Sequence, residues 1–260
     1  MSTAAEGQAR VIERHRVSAP EGRLLAFYSS AMAFSPAGLD VGGAGLSIGV
    51  EVSYVPFLNE AQRRRSIDKP ESTNLAPVFP RPRLGLRLPR GLRAELSWVP
   101  PLKVFDVRAH LGAASIARPA RMAGLDVTPR LWAVTGRVRG AMTCNTGTMI
   151  VHGSALETYF ASVCHGNESD DWFEPRLLGG EILAGRALGG GAFRIYAGAG
   201  ARYDRTRFDI GVRMADGSRD PDHPILELDA VRPHGTLGAS WAARRRWTAG
   251  GEVFYAPGSL

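Results

Sequence analysis

A chain of 260 residues, 44% hydrophobic and 22% charged, is long enough for one large domain with its own core and too apolar for wholesale disorder. No run of about 18 uninterrupted apolar residues occurs, which excludes a membrane-spanning helix and leaves a closed sheet as the only way this chain could cross a bilayer. The formal charge of +7 is almost wholly arginine, Lys69 and Lys103 being the only lysines; without a helix-turn-helix, zinc spacing or RNA-binding aromatic motif, nucleic acid is not an expected partner.

Met1 to Arg23 is polar and charged. Leu24 to Phe34 then reads as an amphipathic helix, with Leu24, Leu25, Phe27, Met32 and Phe34 on its apolar side and Pro36 and Gly38 ending it. From Gly42 the period becomes two. Leu46, Ile48, Val50, Val52 and Tyr54 alternate with Ser47, Gly49, Glu51 and Ser53, a strand with one apolar and one polar face. Residues 59–78, with Arg63-Arg64-Arg65, read as an exposed loop.

Leu84, Leu86 and Leu88, then Leu92, Ala94, Leu96 and Trp98, flank Pro89-Arg90-Gly91. A three-residue turn with a left-handed glycine pairs Leu88 with Leu92, Leu86 with Ala94 and Leu84 with Leu96. It also sets Arg87 opposite Arg93, a like-charge pair that a watery interior tolerates better than a dry core. Further strands are expected at 104–117, 128–142, 177–188, 192–208, 225–242 and 247–256. Their alternating rows include Phe105, Val107, Ala109 and Leu111 against Asp106, Arg108 and His110.

Tight links at 89–91, 118–124, 189–191 and 244–246 contrast with long ones at 59–78, 143–175 and 216–224, while 99–103 is short on the long side. Cys144 and Cys164 bracket a polar insertion and read as a loop staple, which requires an oxidising compartment; two unpaired thiols are the alternative. Cys144, His152, Cys164 and His165 lack the ligand spacing of a zinc site, and Glu168, Asp170, Asp171 and Glu174 lack that of a calcium loop. His152 and Ser154, with Glu157 or Asp170, form the one cluster worth testing as catalytic, but without a nucleophile elbow it reads as ordinary loop chemistry. No cofactor, metal or catalytic residue is expected.

Segments such as LSIGVEVSY, RLGLRLPRGLRAELSW and FRIYAGAGARY, with aromatics near strand ends and short turns opposite long loops, resemble the bacterial single-chain outer-membrane barrels over about Gly42 to Ala256. That resemblance implies an all-β fold, an antiparallel transmembrane barrel of about 8–10 strands. It also implies assembly by the outer-membrane insertion machinery, contact with outer-membrane lipid and lipopolysaccharide, and an export signal already removed. Residues 1–41 form an N-terminal segment, a plug or periplasmic helix that resembles the fatty-acid-transport type, and 42–260 the barrel. About nine strands are read where such barrels have an even number, so a strand is miscounted or a closing one is missing.

A barrel this narrow is largely filled by side chains, so the expected function is a narrow or plugged, porin-like passive transporter or a structural envelope barrel, not an enzyme. The expected lumen row is Glu51, Arg83, Arg87, Arg93, Glu95, Asp106, Arg108, Arg137, Arg139, Arg194 and Arg202, whose arginine excess favours small anionic solutes; hydrophobic solutes are a further candidate cargo. A soluble lipid-binding barrel preserves every alternation with the faces reversed, and an outer-membrane enzyme is a third reading.

Overall fold

A computed structural model describes residues 10–36, 45–54, 78–101, 103–104, 107–145, 164–244 and 247–257. The protein is mostly β with one short helix. In chain order the elements are β1 (Ile12–His15), α1 (Pro20–Ala31), β2 (Leu46–Tyr54), β3 (Val78–Arg87), β4 (Arg93–Val99), β5 (Lys103–Val104), β6 (Val107–Ala117), β7 (Ala120–Met122), β8 (Leu125–Gly140), β9 (Asp171–Leu188), β10 (Phe193–Asp209), β11 (Ile225–Arg244) and β12 (Trp247–Tyr255).

The strands form one sheet in which β2, β3, β4, β6, β8, β9, β10, β11 and β12 follow one another in antiparallel ladders. β5 and β7 extend β4 and β6 beyond breaks at Pro100-Pro101 and Pro119, where proline removes a ladder donor. β1 runs parallel to the start of β11. Among the described residues no ladder joins β2 to β12, and the sheet is open. It is nonetheless curled: side chains of β3, β8, β9 and β12 all reach the segment just after α1, so α1 lies in the hollow of a concave face.

The hairpin around Pro89-Arg90-Gly91 has the expected register, Leu84 with Leu96, Leu86 with Ala94 and Arg87 with Arg93. Arg90 shares the left-handed region with Gly91, at φ 62° and 75°. Other boundaries differ. The helix starts at Pro20 rather than Leu24 and ends at Ala31, because proline suits the first helical position and Glu21 complements the N-terminal dipole. The chain reverses between Val104 and Val107, not across 99–103, so the strand expected from 104 begins at Val107. β9 starts at Asp171, well before Leu177.

One row of cross-strand neighbours divides the sheet into two regimes. Leu96, Ala114, Ala133, Leu178, Tyr203 and Val231 face one another across β4, β6, β8, β9, β10 and β11 on the convex face. From this row toward the tight turns the convex face carries exposed apolar residues, among them Leu131, Ile182, Ala199, Leu237 and Trp241, while the concave face buries Arg83, Glu95, Arg130 and Glu181. Toward the long connections the allocation reverses. There Arg108, Arg137, Arg139, Arg176 and Arg205 point outward, and Val107, Ala109, Leu111, Val138 and Phe173 face inward against Leu25 and Ala26 of α1. Apart from a register shift between Ala242 and Arg244, the two-residue period holds through these ladders; what changes along each strand is which face is apolar.

At the long-connection end Cys144 and Cys164 are joined in a disulfide. Asp171, one of the acidic residues weighed from sequence against a calcium loop, is fully buried. Its carboxylate accepts backbone N–H bonds from Met142, Thr143 and Gly211 at 2.8, 2.5 and 2.7 Å and the Ser169 hydroxyl at 2.7 Å, which pins this connection to the one between β10 and β11.

Candidate functional site

The concave face below α1 is built from alternate residues of β3, β4, β8 and β9, so the polar half of each strand converges on one place. Phe34 is its hub. The guanidinium carbons of Arg83, Arg130 and Arg81 lie 4.4, 5.1 and 5.6 Å from the ring centroid, each within cation–π range. The same three arginines bind the carbonyls that follow the helix. Arg81 donates to Met32 and Ala33 at 3.1 and 3.0 Å, Arg83 to Ser35 at 2.7 Å, and Arg130 to Phe34 and Ser35 at 2.7 and 3.0 Å. Of these, the Met32 carbonyl stands at the helix C-cap, where carbonyls lack intrahelical partners and carry the negative end of the dipole; the other guanidinium bonds go to the three residues that follow.

Carboxylates close the network from behind. Arg83 bridges Glu51 and Glu95, both at 3.0 Å, and Arg130 pairs with Glu181 at 2.6 Å. The other Glu181 oxygen lies 3.3 Å from His234 Nε2, and the His234 ring stacks on Phe254 of β12. Tyr196 donates to Glu252 at 2.7 Å. Because isolated charges in a low-dielectric interior are costly, burial of this many is tolerable only as a paired set.

Nearer the middle of α1 a second cluster holds the helix flank. Asp204 accepts from Ser29 at 3.1 Å and from Arg232 at 3.0 Å, and pairs with Arg202 at 3.0 Å. Arg202 also reaches Ser30, while Arg232 donates to the Ala26 carbonyl and to Pro257. Helix, sheet and the residues after β12 are therefore tied at one point.

Of the residues named from sequence for this row, Glu51, Arg83, Glu95 and Arg202 belong to the network, and Arg93 and Arg194 lie half-buried on the same face. Arg87 is exposed by the Pro89 turn, and Asp106 lies outside the described residues. Arg108, Arg137 and Arg139 occupy the opposite, convex face. They are outward because, at their end of β6 and β8, the apolar neighbours are taken by α1. Among the described residues the concave face sets Arg81, Arg83, Arg130, Arg202 and Arg232 against Glu51, Glu95, Glu181, Asp204 and Glu252, with Arg93 and Arg194 half-buried on the same face. Sequence reasoning missed Arg81, Arg130, Glu181, Asp204 and Arg232, although each occupies a polar position in an alternating stretch. His152, Ser154 and Glu157 lie outside the described residues, and Cys144 and Cys164 are bonded and offer no thiolate.

No protein-family model, curated protein or solved structure matches the chain.

Proposed function

We propose that this is an outer-membrane β-barrel stoppered by α1 and the segment after it, a narrow passive transporter in its closed form or a structural barrel of the envelope. The observation that carries the reading is the outward apolar band. On β10 it runs from Phe193 to Tyr203, about 33 Å along a strand at 3.3 Å per residue. With strands tilted by about 40°, that gives a band about 25 Å tall, the height of the apolar belt of such barrels.

The band also crosses the ladder obliquely. On β2 the apolar row continues past Ile48 as far as Tyr54, whereas on β10 it ends at Tyr203, in the same cross-strand row as Ile48. Strands tilted to the band normal produce this drift. Aromatic residues edge it on both sides, Trp98 and Tyr203 toward the long connections and Phe193, Trp241 and Trp247 toward the turns, as at membrane interfaces. Long connections facing outward and tight turns facing the periplasm give the orientation.

A soluble lipid-binding barrel needs the reverse, apolar residues inside and polar ones outside. The concave face here holds ion pairs where such a ligand would sit, which argues against that reading, and no enzymatic role is proposed. The test is refolding from urea with and without detergent micelles, followed by circular dichroism and by gel mobility of unheated against heated samples. Micelle-dependent β-structure with a heat-shifted band is expected; full folding in plain buffer would overturn the proposal.

A further inference from the structure

We propose that the open edge of β2 is filled by β12 of the same chain, the two strands running parallel with Tyr54 beside Tyr255, so that nine strands surround α1 with a single parallel seam. The inference rests on the barrel reading and departs from the even-numbered, wholly antiparallel wall of the barrels the chain resembles.

The direction of the seam follows from the ladders. Antiparallel pairings in unbroken succession lead from β2 to β12, so both end strands run from the tight turns toward the long connections. Their sides of the sheet also come round to one place. The Ser35 carbonyl accepts from Arg83 of β3, and Ser35 hydrogen-bonds Glu252 of β12. Phe254 of β12 packs against the cluster of Ala33 and Phe34, and Arg83 lies over the Phe34 ring. Strands from opposite ends of the sheet order thus hold the same short segment. Edge backbone groups within hydrocarbon have no water to bond, so two such edges facing each other are expected to pair.

The register follows from the two strands themselves. Both have nine residues and the same order of exposed and half-buried positions. Written side by side, LSIGVEVSY and WTAGGEVFY carry Gly, Glu, Val and Tyr at the same places. Tyr54 lies six residues past Ile48 toward the long connections, and Tyr255 faces Gly235, four residues short of Val231 in the Ile48 row. Pairing the two tyrosines therefore gives the ring a stagger of ten residues. With nine strands about 4.8 Å apart and about 3.3 Å per residue, the tilt is about 37°, inside the range of about 35–45° of closed barrels. A slip that sets Val52 beside Tyr255 lowers the tilt to about 31°. The opposite slip, Val52 beside Gly251, parts the two tyrosines. The seam also sets Glu51 beside Glu252 on the inner face. Each has its own donor, Arg83 for Glu51 and Tyr196 for Glu252, which offsets the like-charge contact.

The test places cysteine pairs across the seam in the full chain carrying Cys144→Ser and Cys164→Ser, refolded in dilute micelles with the heat-shifted band established first. Val52→Cys is combined in turn with Val253→Cys, Gly251→Cys and Tyr255→Cys, all three partners lying on the exposed face. Residues directly opposite on paired strands are within reach of a disulfide, whereas a slip of two residues puts the Cα atoms more than about 7 Å apart. Oxidation with copper phenanthroline should join Val52→Cys to Val253→Cys within one chain at least ten-fold faster than either slipped pair, as read on non-reducing gels and by mass spectrometry of the linked peptides. If the serine background fails to fold, the same pairs are placed in the chain with its own disulfide intact. Faster linkage of a slipped pair, or none of any pair, overturns the proposal. Linkage between two chains overturns it in favour of an edge shared with a second copy. Failure to fold in micelles overturns the barrel reading and this inference together, whereas folding without the Val52–Val253 link overturns this inference alone.

Discussion

Arg130 on β8 and Glu181 on β9 form a buried ion pair at 2.6 Å, and the same guanidinium nitrogen holds the Phe34 carbonyl at 2.7 Å. One side chain thus couples the sheet to the segment that fills its hollow. Arg130→Met should leave Glu181 buried without its cation, at a cost of about 3–5 kcal/mol. The measurement is the urea midpoint in micelles. The double variant Arg130→Met, Glu181→Leu should recover most of that loss, since replacing both partners by apolar groups is often close to neutral.

Phe34→Ala removes the ring that three guanidinium groups share. Beyond a packing loss of about 3–5 kcal/mol, the stopper should loosen. Planar-bilayer recordings should be silent for the unmodified chain and show brief openings for the variant.

Charge placed in the apolar band should cost energy according to depth. Ile182→Arg, at mid-band, should destabilise by about 2–4 kcal/mol, and Tyr203→Arg, at the band edge, by about 0–1 kcal/mol. Reversible denaturation in lipid vesicles reads both. Equal effects would mean that the convex face meets water throughout.

Reducing the Cys144–Cys164 bond frees a loop spanning a sequence separation of 20. The chain-entropy relation gives about 3 kcal/mol for a loop of that size. Unfolding with and without reductant, against the double serine variant, should show this difference, with reductant having no effect on the variant.

The hydrogen bond from Arg139 holds the Asp170 carboxyl below its ordinary range. A depressed carboxyl contributes stability that is present above its unfolded pKa, about 3.9, and is lost as pH falls through the lower folded value. Asp170→Asn should therefore differ from the unmodified chain at neutral pH and converge with it only in strong acid. Thermal melts as a function of pH check this, and a difference persisting at pH 2 would contradict it.

Alternation made the strands legible, and it did so because the sheet keeps its two-residue period everywhere but at the register shift between Ala242 and Arg244. Leu46–Tyr54 and the Pro89 hairpin could be read to the residue from apolar spacing and a glycine turn. Inside and outside could not be read so far, since the same period serves either face. Arg108, Arg137 and Arg139 follow the same alternating rule as Arg83 and Glu95, yet α1 claims their apolar neighbours, and that partner is invisible in a strand's own sequence. β1 was illegible for a related reason: IERH has no apolar row, and its pairing is set by β11, far along the chain.

That last pairing bears on how the molecule comes together. The ladder joining Ile12–His15 to Ile225–Leu228 spans a separation of 213 residues at Arg14 and Glu227. Contacts this distant in sequence carry a high loop-closure cost and form slowly. The chain's start cannot dock until nearly its last strands exist, so the helix must wait in or beside an unfinished sheet. Assembly should then show a late step in which the amino-terminal stretch becomes protease-resistant only after β11 is laid down.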